Sequence, residues 1–305
     1  MPHAGSRLTS RLPHEPHEPA DAPPPRGEPN STSVSSRRII AVRGGVPAGT
    51  DETRDDPVTV EEPLEIRIND SPVAVVMRTP GEDFELVAGF LLTEGIVDDP
   101  RQLGALSYCP SATPPNELNV VDVRLAAEVD YDAEALRRNF YATSSCGVCG
   151  KASIDKVRLR ARRAPRAFTI DAGILLRMPE ILRDAQAQFD RTGALHAAGL
   201  FAANGELLAV REDVGRHNAV DKLVGSFVLH GAWPPPASVL LVSGRTSFEI
   251  VQKALLAGLG FLASVSGPSS LAVDLASDGG LTLVGFLRNG GYNLYTHGER
   301  LLRTE

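Results

Sequence analysis

The stretch Ser238-Val-Leu-Leu-Val242, running directly into Ser243-Gly-Arg-Thr-Ser-Phe248, decides the fold class. Val239 to Val242 leave no polar position in the alternation, so this short strand is of the kind that is buried on both faces. The small polar residues after it are turn and helix-start chemistry, and a helix is predicted over Phe248 to Leu259. The unit then repeats, with a strand over Phe261 to Val265, the turn Ser266-Gly-Pro-Ser-Ser270, a helix over Ser270 to Ala276 and a strand over Leu281 to Leu287. Such alternation predicts a mostly parallel sheet with helices on both sides, a three-layer α/β/α domain.

Working upstream, a helix is predicted over Pro179 to Phe189, stopped by Thr192-Gly193. Strands over His196 to Ala202 and Glu206 to Arg211 flank Asn204-Gly205, a two-residue hairpin signal. Asn218 is expected to cap a helix carrying Val220, Leu223, Val224 and Phe227 on one stripe. These elements form the domain expected over 167–305. A smaller α+β domain is expected over 37–140. There, Val58 to Ile68 alternates with Leu64, Ile66 and Ile68 on one face, Asn69-Asp-Ser-Pro72 turns, and Val73 to Met77 returns. Thr79-Pro-Gly-Glu-Asp83 opens a helix with Phe84, Val87, Ala88 and Leu91 on one stripe and Gly95 just past its end. A strand over Leu118 to Leu125 and a short helix near Asp132 to Phe140 complete it.

Residues 1–36 hold 8 of the 23 prolines, three of the seven histidines and few aliphatic residues, and are expected to be a disordered tail. They contain no apolar stretch of the signal-peptide kind. His14-Glu-Pro-His17-Glu-Pro reads as a solvated low-complexity repeat. With 305 residues the chain suits about two domains. Lys plus Arg number 31 against 38 Asp plus Glu, a net charge of −7, which argues against a protein that coats duplex nucleic acid. Hydrophobic residues make up 42%, enough for a sizeable core, yet no uninterrupted run is long enough to span a membrane. Three cysteines do not make a secreted disulfide framework, so a cytoplasmic protein is expected.

Two of the cysteines stand as Cys146-Gly-Val-Cys149-Gly150 in a segment over 141–166 that reads as a loop and linker. A free thiol with a pKa near ~8.5 is mostly protonated at neutral pH. A helix start near Lys151, or the ammonium itself, would raise the thiolate fraction. Persulfide or redox chemistry, half of a zinc site, and no chemical role all fit this pair. Zinc needs further ligands, whereas Cys109 stands alone and no second CxxC exists. The zinc deaminases place His-x-Glu before Pro-Cys-x-x-Cys. Here His297-Gly-Glu299 follows the cysteines, and no proline precedes Cys146.

Arg211-Glu-Asp-Val-Gly-Arg-His-Asn-Ala-Val-Asp-Lys222 crowds charge onto a strand-to-helix connection, where α/β domains place ligand groups. His217 is its candidate base or ligand; a solvated loop is the plainer alternative. The turns at Ser243 to Phe248 and Ser266 to Ser270 should share the carboxyl edge of the sheet. Their free N–H groups, hydroxyls and Arg245 could cradle phosphate, or simply cap helices. Arg288-Asn-Gly-Gly291 follows the last long strand at that edge and suits a nucleotide, or merely a turn.

Taken in order, Glu62-Pro-Leu64, Thr79 to Asp83, Gly89-Phe-Leu-Leu-Thr-Glu-Gly95, Ser145-Cys-Gly-Val-Cys-Gly150, Arg211 to Lys222 and Ser243-Gly-Arg-Thr-Ser-Phe-Glu249 resemble the formate dehydrogenase accessory sulfurtransferase family, FdhD/NarQ, over residues 38–303. The resemblance implies a cytidine-deaminase-like C-terminal domain. It implies that sulfur passes from a cysteine desulfurase to the molybdenum cofactor, in its bis(molybdopterin guanine dinucleotide) form, before that cofactor enters formate dehydrogenase. Cys146 maps onto the persulfide cysteine and Cys149 onto the second thiol. The cofactor-contacting segment maps onto Phe286, Leu287, Arg288, Asn289, Gly290 and Gly291, with Ser243 and Arg245 expected to help dock the nucleotide ends. A homodimer is implied, and no permanently bound metal is expected. The rivals are a zinc-dependent deaminase, a cofactor-binding chaperone whose thiols are incidental, and a thiol–disulfide oxidoreductase, which lacks its usual βαβ surroundings.

Overall fold

A computed structural model describes residues 33–41, 52–113, 116–127, 129, 131, 168–233, 235 and 237–302. Cys146, Cys149 and the helix expected near 132–140 lie outside the described residues.

The first sheet has four strands, β3 (Glu62–Ile68), β4 (Ser71–Arg78), β5 (Leu103–Tyr108) and β6 (Val120–Leu125), in the order β4-β3-β6-β5. Leu64, Ile66 and Ile68 point into the core as their period-two spacing predicts. Asn69 and Asp70 both take positive φ, the backbone that a two-residue hairpin turn requires. The alternation beginning at Val58 belongs to two strands. Its start closes β2 (Glu52–Thr59), which pairs antiparallel with β1 (Val34–Ala41) as a separate ribbon.

A short parallel pair is formed by β7 (Ile170–Asp171) and β14 (Leu301–Leu302), and the second large sheet has six strands: β8 (His196–Ala202), β9 (Leu207–Asp213), β10 (Ser238–Val242), β11 (Phe261–Ser264), β12 (Thr282–Arg288) and β13 (Gly291–Thr296). Their order is β13-β12-β11-β10-β8-β9. Only the β10–β11 and β11–β12 pairs are parallel, while β8–β9, β8–β10 and β12–β13 are antiparallel, so the expectation of a mostly parallel sheet is corrected to a mixed one. Connections of two to four residues can only join antiparallel strands. The turn at Asn204-Gly205 therefore adds β8–β9 as a hairpin at one edge, and Asn289-Gly290 adds β13 at the other. The parallel part is confined to strands separated by helices.

Both faces of this sheet are covered. Ala198, Leu200, Leu240, Val242, Leu262 and Leu283 face one apolar core. That core is shared with α1 (Asp83–Thr93), α4 (Arg216–Leu229), α5 (Phe248–Leu256) and α6 (Ser270–Gly279). Ala197, Phe201, Val239, Leu241, Phe261 and Val284 face a second core with α2 (Ala172–Asp184); α3 (Ala187–Thr192) follows α2. The first core also takes in Leu64, Ile66 and Ile68 of the four-stranded sheet, so one apolar body joins the two halves of the chain. At roughly 1.5–3 kcal/mol per buried large aliphatic side chain, it is the main force between them.

Two helix starts differ from the sequence expectation. Asp171 caps α2 by accepting from the N–H groups of Gly173 and Ile174, so the helix begins seven residues before Pro179, which lies inside it. Gly215, not Asn218, is the N-cap of α4. The Asn218 amide donates instead to the Met77 carbonyl (2.7 Å) and to Asp213 Oδ1 (2.9 Å), tying the first turn of α4 to β4 and β9.

The α1–α4 contact fixes how the halves meet. A Cβ on Gly225 would lie 1.8 Å from the Glu85 carbonyl oxygen, and one on Gly89 would lie 1.8 Å from that of Asp221. The two backbones touch where neither helix has a side chain. No helix among the described residues is long and apolar enough to cross a membrane.

Candidate functional site

The charged stretch Arg211 to Lys222 divides between two environments. Most of it is a buried ionic seam under α1. Arg211 pairs with Glu85 (Nη2–Oε1 2.9 Å). Lys222, fully buried, pairs with Asp213 at 2.9 Å and donates to the Thr79 carbonyl at 2.9 Å. Asp213 also accepts from the Thr79 N–H, while the Val214 N–H donates to the Thr79 hydroxyl. Deeper in, Lys253 of α5 pairs with Asp221 (2.9 Å) and Glu94 (3.0 Å), and the Thr93 hydroxyl donates to Asp221. Burial pushes Asp221 up to about 6 against the pull of Lys253. Burial also works against the Lys253 ammonium, but Asp221 and Glu94 outweigh it and hold Lys253 charged. Arg78 closes the seam on Asp83 and Asn119. Thr79 to Asp83 and Gly89 to Gly95, two of the motifs that carry the family resemblance, are the other side of the same seam. Sequence reading missed this role, because the paired residues lie far apart in the chain, Glu85 and Arg211 by 126 positions.

The second environment is the carboxyl edge of the six-stranded sheet. There the turns after β9, β10, β11 and β12 lie side by side, because β9 points the same way as β10 across the antiparallel β8. This brings Ser243, Arg245, Gly267 and Phe286 to Gly291 to one edge. Thr246 and Pro268 form a parallel bridge there, and the Phe286 N–H donates to the Ser266 carbonyl (3.0 Å). The Ser243 hydroxyl accepts from the Ala197 N–H at 2.9 Å, so its role includes bracing β8. Arg245 is exposed.

Phe286 is the unusual residue of this edge. Its φ is 53°, left-handed backbone that a bulky side chain rarely adopts, at a cost of order 1–3 kcal/mol. It sits in a bulge of the β12–β13 pairing. Its ring lies on Gly267, where a Cβ would approach within 2.7 Å, and the Arg288 guanidinium lies 5.5 Å from the ring centroid. Phe286, Arg288, Asn289 and Gly290 are all exposed, while Leu287 is buried in the second core. Leu287 therefore anchors the turn from below.

His217 lies in the first turn of α4, with its Nε2 3.3 Å from the Ser247 hydroxyl at the start of α5. Burial, then Lys253 and Arg216, bring its pKa down to about 4, so it is neutral at physiological pH. His297 has Nδ1 3.2 Å from Glu299 and Nε2 2.8 Å from the Ser277 carbonyl, so both ring nitrogens are engaged at the surface. Among the described residues no group of three or more His, Cys, Asp or Glu is arranged to hold a metal ion. Cys109 is a free thiol. Its pKa is lowered by the Ser111 hydroxyl (3.2 Å), the Ser111 backbone and the Arg67 guanidinium (3.7 Å).

The FdhD/NarQ family model matches residues 59–302, which takes in both sheets and the CxxC segment. The chain belongs to the FdhD/NarQ family. Similar FdhD proteins include that of Streptomyces coelicolor, 53% identical over 271 residues (87% of this chain and 94% of the relative). That of Mycobacterium tuberculosis is 54% identical over 256 residues (82% and 93%). Both are described as sulfur carrier protein FdhD. Among solved structures, a protein described as a formate dehydrogenase accessory protein, from Desulfotalea psychrophila, superposes with a TM-score of 0.68 at 24% identity. The match covers 88% of this chain and 99% of that one, so the two share a fold.

Proposed function

We propose that this FdhD-family chain is a sulfur carrier for formate dehydrogenase, and that Cys146 holds the sulfur as a persulfide. The observation that carries the reading is the match to sulfur carrier relatives at about half identity over nearly their full length, together with Cys146-Gly-Val-Cys149 in a chain whose remaining cysteine stands apart.

The chemistry balances without a metal of the protein's own. The Cys146 thiolate attacks the terminal sulfur of a donor persulfide. A new S–S bond forms, the donor's S–S bond breaks, and the electron pair leaves on the donor thiolate. In the route through Cys149, its thiolate attacks Cys146 Sγ, and the terminal sulfur departs as hydrosulfide. A Cys146–Cys149 disulfide is left for a cellular dithiol to reduce. The donor is a cysteine desulfurase. The acceptor is the molybdenum cofactor in its bis(molybdopterin guanine dinucleotide) form, which is cargo bound for formate dehydrogenase.

That cargo docks at the carboxyl edge, on Ser243, Arg245 and the turn Phe286-Leu-Arg-Asn-Gly-Gly291. Exposed Phe286 and Arg288 suit an aromatic base and its diphosphate, and the helix starts of α5 and α6 supply N–H groups to anions. A net charge of −7 is no obstacle where local donors meet the ligand. The reading keeps the division of the chain at 37–140, 141–166 and 167–305, with the second domain cytidine-deaminase-like. Its support is that the four-stranded sheet is built from residues 62–125 and the helix-covered six-stranded sheet from 196–296. A homodimer and a cytoplasmic setting belong to the same proposal.

The experiment is restoration of formate dehydrogenase activity in cells that lack this chain. The chain as it stands should restore it, and Cys146→Ala should not. Full restoration by the double change Cys146→Ala, Cys149→Ala would make the protein a cofactor chaperone instead. Zinc held in equal ratio to the chain and lost on Cys149→Ser would favour the deaminase.

A further inference from the structure

Among the described residues, the junction between the two halves carries more buried acid than base. Lys253 of α5 lies 2.9 Å from Asp221 of α4 and 3.0 Å from Glu94 at the end of α1, so two carboxylates share one ammonium. The Lys253, Asp221 and Glu94 side chains are 5%, 2% and 12% exposed. With all three ionised, the cluster would hold an uncompensated negative charge out of reach of water, which is costly. The arrangement recurs at Lys222, which lies 2.9 Å from Asp213 and 3.6 Å from Glu82.

The Lys253 ammonium has no further donor to offer. Its three N–H groups are taken up by Asp221, Glu94 and the Thr93 hydroxyl, and the Phe90 ring centroid lies 5.6 Å from Nζ. Thr93 in turn donates to Asp221 Oδ1 at 2.6 Å. The charged groups facing Asp221 are Lys253 on α5 and Glu94 after α1. Burial favours the protonated Asp221 carboxyl, against Lys253 and the Thr93 hydroxyl, and Glu94 adds to the effect of burial. One turn earlier on α4, neutral His217 faces Lys253, Arg216, Glu249 and Glu94. Asp221 also supplies the carbonyl on which Gly89 of α1 rests, so the cluster sits where the halves touch.

We propose that this junction is a proton-operated clamp, in which Asp221 and Glu94, competing for the single Lys253 ammonium, take up one proton between them from solvent and α1 is then gripped more tightly. Protonation converts one carboxylate to a carboxylic acid, removes the repulsion between the two acids and leaves Lys253 balanced by the carboxylate that remains. The ammonium, held charged by both acids, keeps its own proton. The clamp reaches the rest of the molecule through geometry. The Tyr131 hydroxyl donates to the Ile68 carbonyl of the first half (3.2 Å), and the Phe168 ring packs on Phe261 of the second. These two residues bracket in sequence the stretch that carries Cys146, and the junction sets the distance between them. The inference does not rest on the sulfur-carrier reading.

The test is hydrogen exchange of the full chain, native and Asp221→Asn, read by mass spectrometry at the α1 peptide and corrected for the intrinsic exchange rate. In the folded chain Asp221 takes its proton at about 6, against an ordinary value of ~3.9 when exposed. Its contribution to stability therefore grows as pH falls through about 6 and is complete below about 4. The protection of α1 in the native chain relative to Asp221→Asn should rise roughly tenfold between about pH 7 and pH 5. His217 titrates in the opposite sense, but it is common to both proteins and drops out of the ratio. A ratio that stays level or falls overturns the proposal. Carboxyl-carbon NMR of the unaltered chain gives a readout that needs no variant to fold. One carboxyl of the Asp221–Glu94 pair should gain its proton with a midpoint near 6, a value that belongs to the pair. Two carboxylates that both remain ionised at about pH 5 would overturn the clamp.

Discussion

The seam beneath α1 and the carboxyl edge of the six-stranded sheet have nearly the same composition, with glycines, hydroxyls and charges in short motifs, yet opposite states. In the seam each charge has found its counter-charge: Lys222 with Asp213, Lys253 with Asp221 and Glu94, Arg211 with Glu85. At the edge, among the described residues, Arg216 Nε and the Thr246 hydroxyl are buried with no hydrogen-bond partner, and Phe286 holds a costly backbone. Completed buried pairs hold a structure together but offer nothing to a ligand. Open donors destabilise the free protein and are satisfied by binding. What separates a structural motif from a binding motif here is whether its polar groups are already used.

The comparison breaks most visibly at the seam. Lys222→Ala leaves Asp213 buried without its cation, and a loss of about 3–5 kcal/mol is expected from denaturant unfolding; a loss under about 1 kcal/mol would mean that the pair is not needed. A smaller effect separates the two regions by pH. His217 has a folded pKa of about 4 against about 6.5 unfolded. At this residue the unfolded chain therefore binds more protons between these values, and the His217 contribution to stability falls as pH drops from about 6.5 to 4. The contribution approaches roughly 3 kcal/mol. His217→Gln should flatten that part of the profile. The opposing contribution of Asp221 is common to both proteins and cancels in the difference. An unchanged slope would place the acid sensitivity elsewhere. The smallest change in stability is expected at the edge. Phe286→Gly relieves the left-handed backbone while losing a half-exposed ring, so unfolding free energy should move by about 1 kcal/mol or less, whereas GDP binding should weaken. A stability loss beyond about 2 kcal/mol would make Phe286 a packing residue.

Much of this was legible in the amino-acid pattern, for identifiable reasons. Val239 to Val242 announced a strand buried on both faces, and Asn204-Gly205 announced a hairpin, because both signals are local. The mixed direction of the sheet was less legible, since Asn289-Gly290 was read for its ligand chemistry before its turn geometry. Asn218 is a good capping residue in isolation, but its amide is claimed by Met77 and Asp213, far off in sequence or in another element. The seam itself could not be read, because Glu85 and Arg211 are 126 positions apart and nothing local links them. The family motifs pointed to the candidate site as a set; which of them bind and which brace became visible only once partners could be assigned.

The central claim is that position 146 takes up and gives away one sulfur atom. Incubation with a cysteine desulfurase and radiosulfur-labelled cysteine, followed by mass analysis of the protein, tests it most directly. One extra sulfur on the peptide containing Cys146, removable by a thiol reductant and absent in Cys146→Ala, is the predicted result. Equal labelling of Cys146→Ala, or label residing on Cys109, would contradict it.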